Sequence, residues 1–205
     1  VNISPNIINR ILKKMKTNSA AGPDGLPPIF YHYTATSLSF PLSILFRSLV
    51  DTRSIPTEWK LSVIIPKFKK GATSDPTNYR PIALTCCCCK VLERIIANDV
   101  TDYLYKHKLI SSNQHGFLKR HSTSTNLLDS LNDWTITLSN HRSVSVAYID
   151  FKSAFDCISH AKLLHKLSSY GITGDLWFWI QAFLSNHLQK VKVNASFSST
   201  CEVIS

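Results

Sequence analysis

The sequence predicts an α+β fold that is rich in helix. Three observations carry that prediction. Apolar residues recur at helical spacing in segments 4–17, 29–50, 86–107, 122–139, 160–170 and 174–187. Short β-branched or alternating runs at 61–66, 79–84, 144–150 and 188–193 read as strands. A hydrophobic content of 44% in 205 residues is enough for a real core.

The elements follow in order. In the first helix Ser4 is a cap, Pro5 suits the first turn, and Ile7, Ile8, Ile11, Leu12 and Met15 share one face. Lys13, Lys14 and Lys16 crowd its end, where cations also suit the helix dipole. Ser19 to Pro28 holds two glycines and three prolines and reads as a fixed turn. Residues 29–50 read as helix with a break or kink near Pro41. Leu61 to Pro66 is a strand ended by proline, and Tyr79 to Leu84 returns as its partner. Together they form a hairpin with Lys67, Lys69 and Lys70 toward its tip. Val91, Leu92, Ile95 and Ile96 mark the buried side of the next helix. Ser122 or Thr123 caps another, with Leu127, Leu128, Leu131 and Trp134 expected inward. Leu188 to Val193 alternates as a strand, and Cys201 to Ile204 is a candidate start of another.

Formal net charge is +10, from 23 Lys and Arg against 13 Asp and Glu. A polyanionic partner fits that balance, most simply nucleic acid, although a merely soluble basic protein has the same signature. No apolar run approaches the ~20 residues of a membrane span. The start, Val1-Asn2-Ile3-Ser4, has neither an initiator Met nor a signal-peptide layout. The expectation is an intracellular piece of something longer, nuclear or cytoplasmic. Of six cysteines, Cys86, Cys87, Cys88 and Cys89 are adjacent, which suits neither a disulfide framework nor paired zinc knuckles. All six, with Cys157 and Cys201, read as small buried thiols in a reducing compartment.

The run Val144 to Ile149 leads into Asp150, with Asp156 six residues on. A carboxylate at the end of a buried strand needs compensation, and a metal ion is one form of it. A capping aspartate is the plainer alternative. A metal-dependent phosphatase would want a second aspartate two residues on, followed by glycine. Lys152 and Ser153 stand there instead.

Six segments resemble, in order, the reverse transcriptase domain of non-long-terminal-repeat (LINE-type) retrotransposons. They are Ala21-Gly22-Pro23-Asp24-Gly25 with Pro27-Pro28; Ile65-Pro66-Lys67; Asn78 to Leu84; Lys90-Val91-Leu92-Glu93; Gln114-His115-Gly116-Phe117 with Ser122-Thr123; and Asp150-Phe151 with Ala154-Phe155-Asp156. Each is weak alone, and six in the family's order are specific. Gln189 to Asn194 resembles the stretch before the family's glycine-rich motif.

The resemblance implies a right-hand polymerase architecture, with fingers over 1–143 and the first part of an incomplete palm sheet over 144–205. It implies RNA-directed DNA polymerase activity in the intact protein, on an RNA template, a DNA primer and deoxynucleoside triphosphates. Two divalent ions, Mg²⁺ or Mn²⁺, would be held in part by Asp150 and the Phe151 carbonyl. Arg80 and Lys67 would contact the incoming triphosphate, and Phe155 would sit beneath its sugar and select against a 2′-hydroxyl. Without the family, Phe155 and Phe117 read as ordinary packing residues. Gln114, Gly116, Phe117, Lys119 and Arg120 would lie along the template, and Asp156 would be a structural cap. Leu118 departs from an arginine common at that place, which weakens the template assignment there. The glycine-rich and Asp-Asp motifs are expected beyond Ser205, and the sequence contains no Asp-Asp pair. The 205 residues alone are therefore expected not to polymerise. A non-catalytic nucleic-acid-binding remnant is the alternative reading.

Overall fold

The computed structural model describes residues 1–151, 154–155 and 157–203. The proposed cap Asp156 and the strand position Ile204 lie outside the described residues. The chain divides into two compact units, one of Val1–Thr101 with Ile158–Ser205, the other of Asp102–Cys157.

The first unit begins with α1 (Pro5–Lys13). Extended Ser4 accepts a hydrogen bond from the Ile7 amide at 3.4 Å, and Pro5 occupies the first turn. The helix stops short of the predicted residue 17. Lys14 leaves helical geometry, its amide donates to the Ile11 carbonyl, and the Met15 amide donates to the Leu12 carbonyl. Ile8 and Leu12 are fully buried. The predicted helix 29–50 is two, α2 (Pro28–Tyr33) and α3 (Ala35–Asp51). The break falls at Thr34, whose hydroxyl donates to the Phe30 carbonyl at 2.6 Å. Pro41 lies inside α3 instead of ending it. It faces solvent, as does Ser37, so the carbonyl deprived of an amide partner can be hydrated. Arg47 donates to the Ile3 carbonyl through Nε (2.9 Å) and Nη2 (2.7 Å), tying α3 to the entry of α1.

β1 (Leu61–Phe68) runs on past Pro66 and pairs antiparallel with β2 (Tyr79–Leu84), as the sequence predicts. Pro66 lies opposite Pro81, so each position lacking an amide faces another. β3 (Leu188–Val193) joins the other side of β1 in parallel, Leu61 against Leu188 and Ile64 against Val191. Two short strands follow, β4 (Ser196–Phe197) and β5 (Cys201–Glu202), both antiparallel to β3. β4 is absent from the sequence reading because two residues carry no period.

α4 (Cys87–Lys106) supplies much of the core. Cys87, Cys88, Cys89, Val91, Leu92, Ile95 and Ile96 are buried along it. Phe46 meets Trp59 edge-on at 6.2 Å, and Trp179 stacks on Phe183 at 5.3 Å. Trp179 and Phe183 belong to α7 (Gly174–Leu184), which follows α6 (His160–Ser169). Arg53, just past α3, pairs with Asp175 at 2.7 Å and covers the Phe178 ring at 4.6 Å.

The second unit carries the last residues of α4, a loop, α5 (Thr123–Ser139) and the stretch up to Cys157. Ser122 and Thr125 form a capping box at its start. Two expectations fail here. Leu127, Leu128 and Leu131 are exposed, and no residue of α5 is buried. Residues 144–150 form no strand or helix, and Tyr148 and Ile149 are 87% and 80% exposed. A β-branched run becomes a strand only when another edge takes up its hydrogen bonds, and no described strand does so. Among the described residues, no helix is long and apolar enough to cross a membrane.

The cysteines also divide. Cys86 to Cys89 are buried, as expected, whereas Cys157 and Cys201 are exposed. Burial pushes the thiol of Cys86 up to about 11 and that of Cys88 up to about 12, from an ordinary 9.0. Cys87 moves the same way through burial, and Cys89 through burial and the nearby Glu93.

At pH 8, iodoacetamide is therefore expected to modify Cys157 and Cys201 quickly and the other four only on unfolding. Rapid addition of more than two groups, read by mass spectrometry, would contradict this burial. The raised thiols bind protons more tightly folded than unfolded. Their stabilisation is complete below pH 9 and is lost as pH rises toward 11 and 12. Unfolding midpoints measured across that window should fall.

Candidate nucleotide and nucleic-acid sites

The hairpin brings two predicted residues together. Lys67 and Arg80 are directly opposite each other in the β1–β2 ladder, and both are exposed. Opposed residues in an antiparallel pair point to the same face, and like charges so placed repel. Neither has an acidic partner among the described ion pairs. An arrangement that repels in isolation becomes favourable around a phosphate.

Strand alternation puts Val63, Ile65 and Lys67 on one face of β1. Val63 and Ile65 line a cleft of about 520 Å³, together with Leu84, Lys190, Lys192, Phe197 and the loop from Ala20 to Gly25. Lys190 and Lys192 lie over the Phe197 ring at 4.6 and 5.3 Å. The sequence reading assigned these lysines no contact. Their alternation in β3 was the available signal, because register with β1 brings Lys190 beside Val63.

The loop from Ala20 to Gly25 forms part of the wall of this cleft. A Cβ on Gly22 would come within 2.5 Å of the Thr85 carbonyl oxygen, so only glycine permits this approach. Gly25 has φ of 71°, a conformation that side-chain-bearing residues rarely adopt. Asp24 anchors the loop twice. It accepts from the Leu26 amide at 3.2 Å and from the Cys86 thiol at 2.9 Å.

In the second unit, Phe117 and Phe155 meet edge-on with ring centroids 5.5 Å apart. These side chains are 91% and 71% exposed, so the pair presents aromatic surface to solvent. Phe117 has φ of 61° and Arg120 has φ of 65°. Left-handed backbone at a bulky residue is costly and is held by its surroundings. His115 is the buried anchor of this loop. Its Nδ1 lies 2.9 Å from Thr125 Oγ1, and its Nε2 lies 3.2 Å from Asp129 Oδ2. His121 Nδ1 stands 3.3 Å from the same imidazole. His115 was missed as a positioning residue, though it sits inside the Gln114 to Phe117 segment. Gln114 Nε2 donates to the Gly116 carbonyl at 3.4 Å, and Lys119 pairs with Asp102 at 3.5 Å.

Asp150 and Phe151 are both exposed, outside any regular element. Among the described residues, no three His, Cys, Asp or Glu side chains converge as a metal centre. The residues described do not by themselves form a two-metal site.

The chain matches the family model described as reverse transcriptase (RNA-dependent DNA polymerase) over residues 65–204. The chain therefore belongs to the reverse transcriptase family, whose members use divalent metal ions. Its relatives are polymerases of non-LTR retrotransposons. It is 28% identical over 193 residues to the RNA-directed DNA polymerase from mobile element jockey of Drosophila melanogaster, covering 94% of this chain and 21% of that protein. It is 25% identical over 164 residues to the probable RNA-directed DNA polymerase from transposon BS of the same organism, covering 77% and 17%. It is 27% identical over 179 residues to the Pol polyprotein of the type-1 retrotransposable element R2 of Popillia japonica, covering 85% and 23%. The chain thus spans about a fifth of the length of the curated relatives it matches.

Replacing Gly22 with alanine should destabilise the first unit by about 1–3 kcal/mol, because the loop must move off the Thr85 backbone. Urea unfolding measures this, and an unchanged midpoint would show that the loop yields freely.

Proposed function

We propose that this chain forms the fingers (1–143) and the beginning of the palm (144–205) of an RNA-directed DNA polymerase from a non-LTR retrotransposon. It would work inside the cell on an RNA template, a DNA primer and deoxynucleoside triphosphates. The observation that carries this is the family match over 65–204. The opposed Lys67 and Arg80 support it from the structural side.

In this reading Arg80 grips the triphosphate through its planar fork of donors, and Lys67 adds a point charge beside it. Holding the phosphates supplies positioning, which is most of what a phosphoryl-transfer site contributes. Phe155 lies under the sugar, where its ring opposes a 2′-hydroxyl, and the edge-on contact with Phe117 braces it. Gln114, Gly116, Phe117, Lys119 and Arg120 follow the template. Asp150 would supply one carboxylate, and Phe151 its carbonyl, to a Mg²⁺ or Mn²⁺ site shared with other carboxylates of the intact polymerase.

The test is primer extension on an RNA template by the intact polymerase containing this chain. Arg80→Ala is expected to raise KM for deoxynucleotides by at least tenfold, since a charged hydrogen-bonded contact contributes about 1.5–3 kcal/mol. Asp150→Ala should abolish extension. Phe155→Val should increase incorporation of ribonucleotides relative to deoxynucleotides. Template-dependent synthesis that survives Asp150→Ala would sink the assignment. Strand binding without any synthesis by the intact protein would instead identify a non-catalytic remnant.

A further inference from the structure

A second cleft in the first unit takes no part in the proposed nucleotide site. It has a volume of about 390 Å³ and lies between the end of α1 and the first half of α4. Its walls carry Lys14, Lys16, Lys90 and Arg94, and Ile11, Met15, Pro28 and Val91 supply its apolar surface. Among the described residues, no carboxylate lines it. None of the four cations has an acidic partner among the described ion pairs. Glu93, the nearest acid along α4, accepts from the Cys89 thiol at 3.1 Å.

The positions of Lys90 and Arg94 are the informative feature. They are four residues apart on α4 and so are neighbours on one face, where like charges repel. Lys90 also lies in the first turn of α4, the end of a helix that favours anions over cations. Lys14 and Lys16 add two more charges from the facing segment. Lys14 has the ordinary explanation of a helix C-terminus, but Lys90 and Arg94 do not. Glu93, three residues from Lys90, lines a neighbouring recess with Lys90 and Arg94 and offsets part of this repulsion, and an anion in the cleft would relieve the rest.

We propose that this cleft binds the phosphodiester backbone of a nucleic-acid strand, as a site separate from the Lys67–Arg80 pair. The identity of the anion as nucleic acid rests on the polymerase reading. The cations are distributed over two elements, which suits successive phosphates better than one compact anion. Among the described residues the cleft has no aromatic side chain to stack a base, so recognition is of backbone and independent of sequence. Ala20 lines both this cleft and the one against the sheet, so the two basic surfaces adjoin across the same loop.

The test uses the 205-residue chain with fluorescein-labelled single-stranded RNA and DNA of mixed sequence, read by anisotropy over a range of salt. Two double variants are compared, Lys14→Gln with Lys16→Gln, and Lys90→Gln with Arg94→Gln. Each should weaken binding roughly tenfold and reduce the slope of log K against log salt by about 1.4, the share of two phosphate contacts on a single strand. Equal losses on RNA and DNA indicate backbone alone, and a larger loss on RNA adds contact with the 2′-hydroxyl. Both outcomes support the site. Photocross-linking of a thiouridine-containing strand to peptides within 11–20 or 87–97 gives a readout that does not depend on variants folding. Unchanged affinity and slope in both variants, or cross-links confined to other peptides, would overturn the proposal. So would variants that lose binding to phosphatidylserine vesicles but keep binding to strands. Triphosphate binding with Arg80→Ala is measured in parallel. Failure there with success here would remove the nucleotide-site reading and leave this one standing.

Discussion

Burial of the first half of α4 is the constraint on which the first unit depends. Seven residues between Cys87 and Ile96 are withdrawn from water along this helix. Small thiols at its start leave room for close backbone approach, and Gly22 uses that room against Thr85 and Cys86. The loop from Ala20 to Gly25 is thereby held between α4 and the end of β2. It in turn forms part of the wall of both basic clefts. A packing requirement among neutral side chains thus sets where the charged ones stand. The thiols have the raised proton affinity of buried groups, which agrees with a structural role rather than a reactive one.

The acids of the first unit are largely engaged locally. Asp175 pairs with Arg53, Asp24 accepts from Cys86, and Glu93 accepts from Cys89. The cations of the sheet face and of the α1–α4 cleft are left without acidic partners among the described ion pairs. Part of the chain's net charge of +10 therefore stands on surfaces whose cations have no acidic partner among the described ion pairs. Such surfaces attract polyanions in a salt-dependent way.

The second unit shows a different balance. Phe117, Leu127, Leu128, Tyr148, Ile149, Phe151 and Phe155 are all exposed. Its loop is nonetheless ordered by specific polar contacts, with His115 between Thr125 and Asp129 and the capping box at Ser122. Here hydrogen bonding sets the conformation while much of the apolar surface remains open. Asp150 shares that openness, and its carboxylate has no convergent metal-ligand group among the described residues.

The sequence by itself determined the local elements and the family. Helix hydrogen bonds join residues four apart, so caps and apolar spacing placed α1, α4, α5, α6 and α7 to within a few residues. The β1–β2 hairpin was legible because both strands and their turn lie within 24 residues, 61–84. The ordered segments from Ala21 to Asp156 pointed to reverse transcriptases, and the family match agrees. Tertiary structure alone decided the rest. The run 144–150 has strand composition but no partner edge, and the leucines of α5 have a period but no surface to cover them. Helix 29–50 broke at Thr34 because a side chain there caps the preceding turn, while exposure made Pro41 tolerable. The convergence of Lys14, Lys16, Lys90 and Arg94 was equally invisible, since it comes from tertiary contact between the chain just past α1 and α4, which are far apart in sequence. Pairing and burial belong to two surfaces at once, and a one-dimensional pattern describes only one of them.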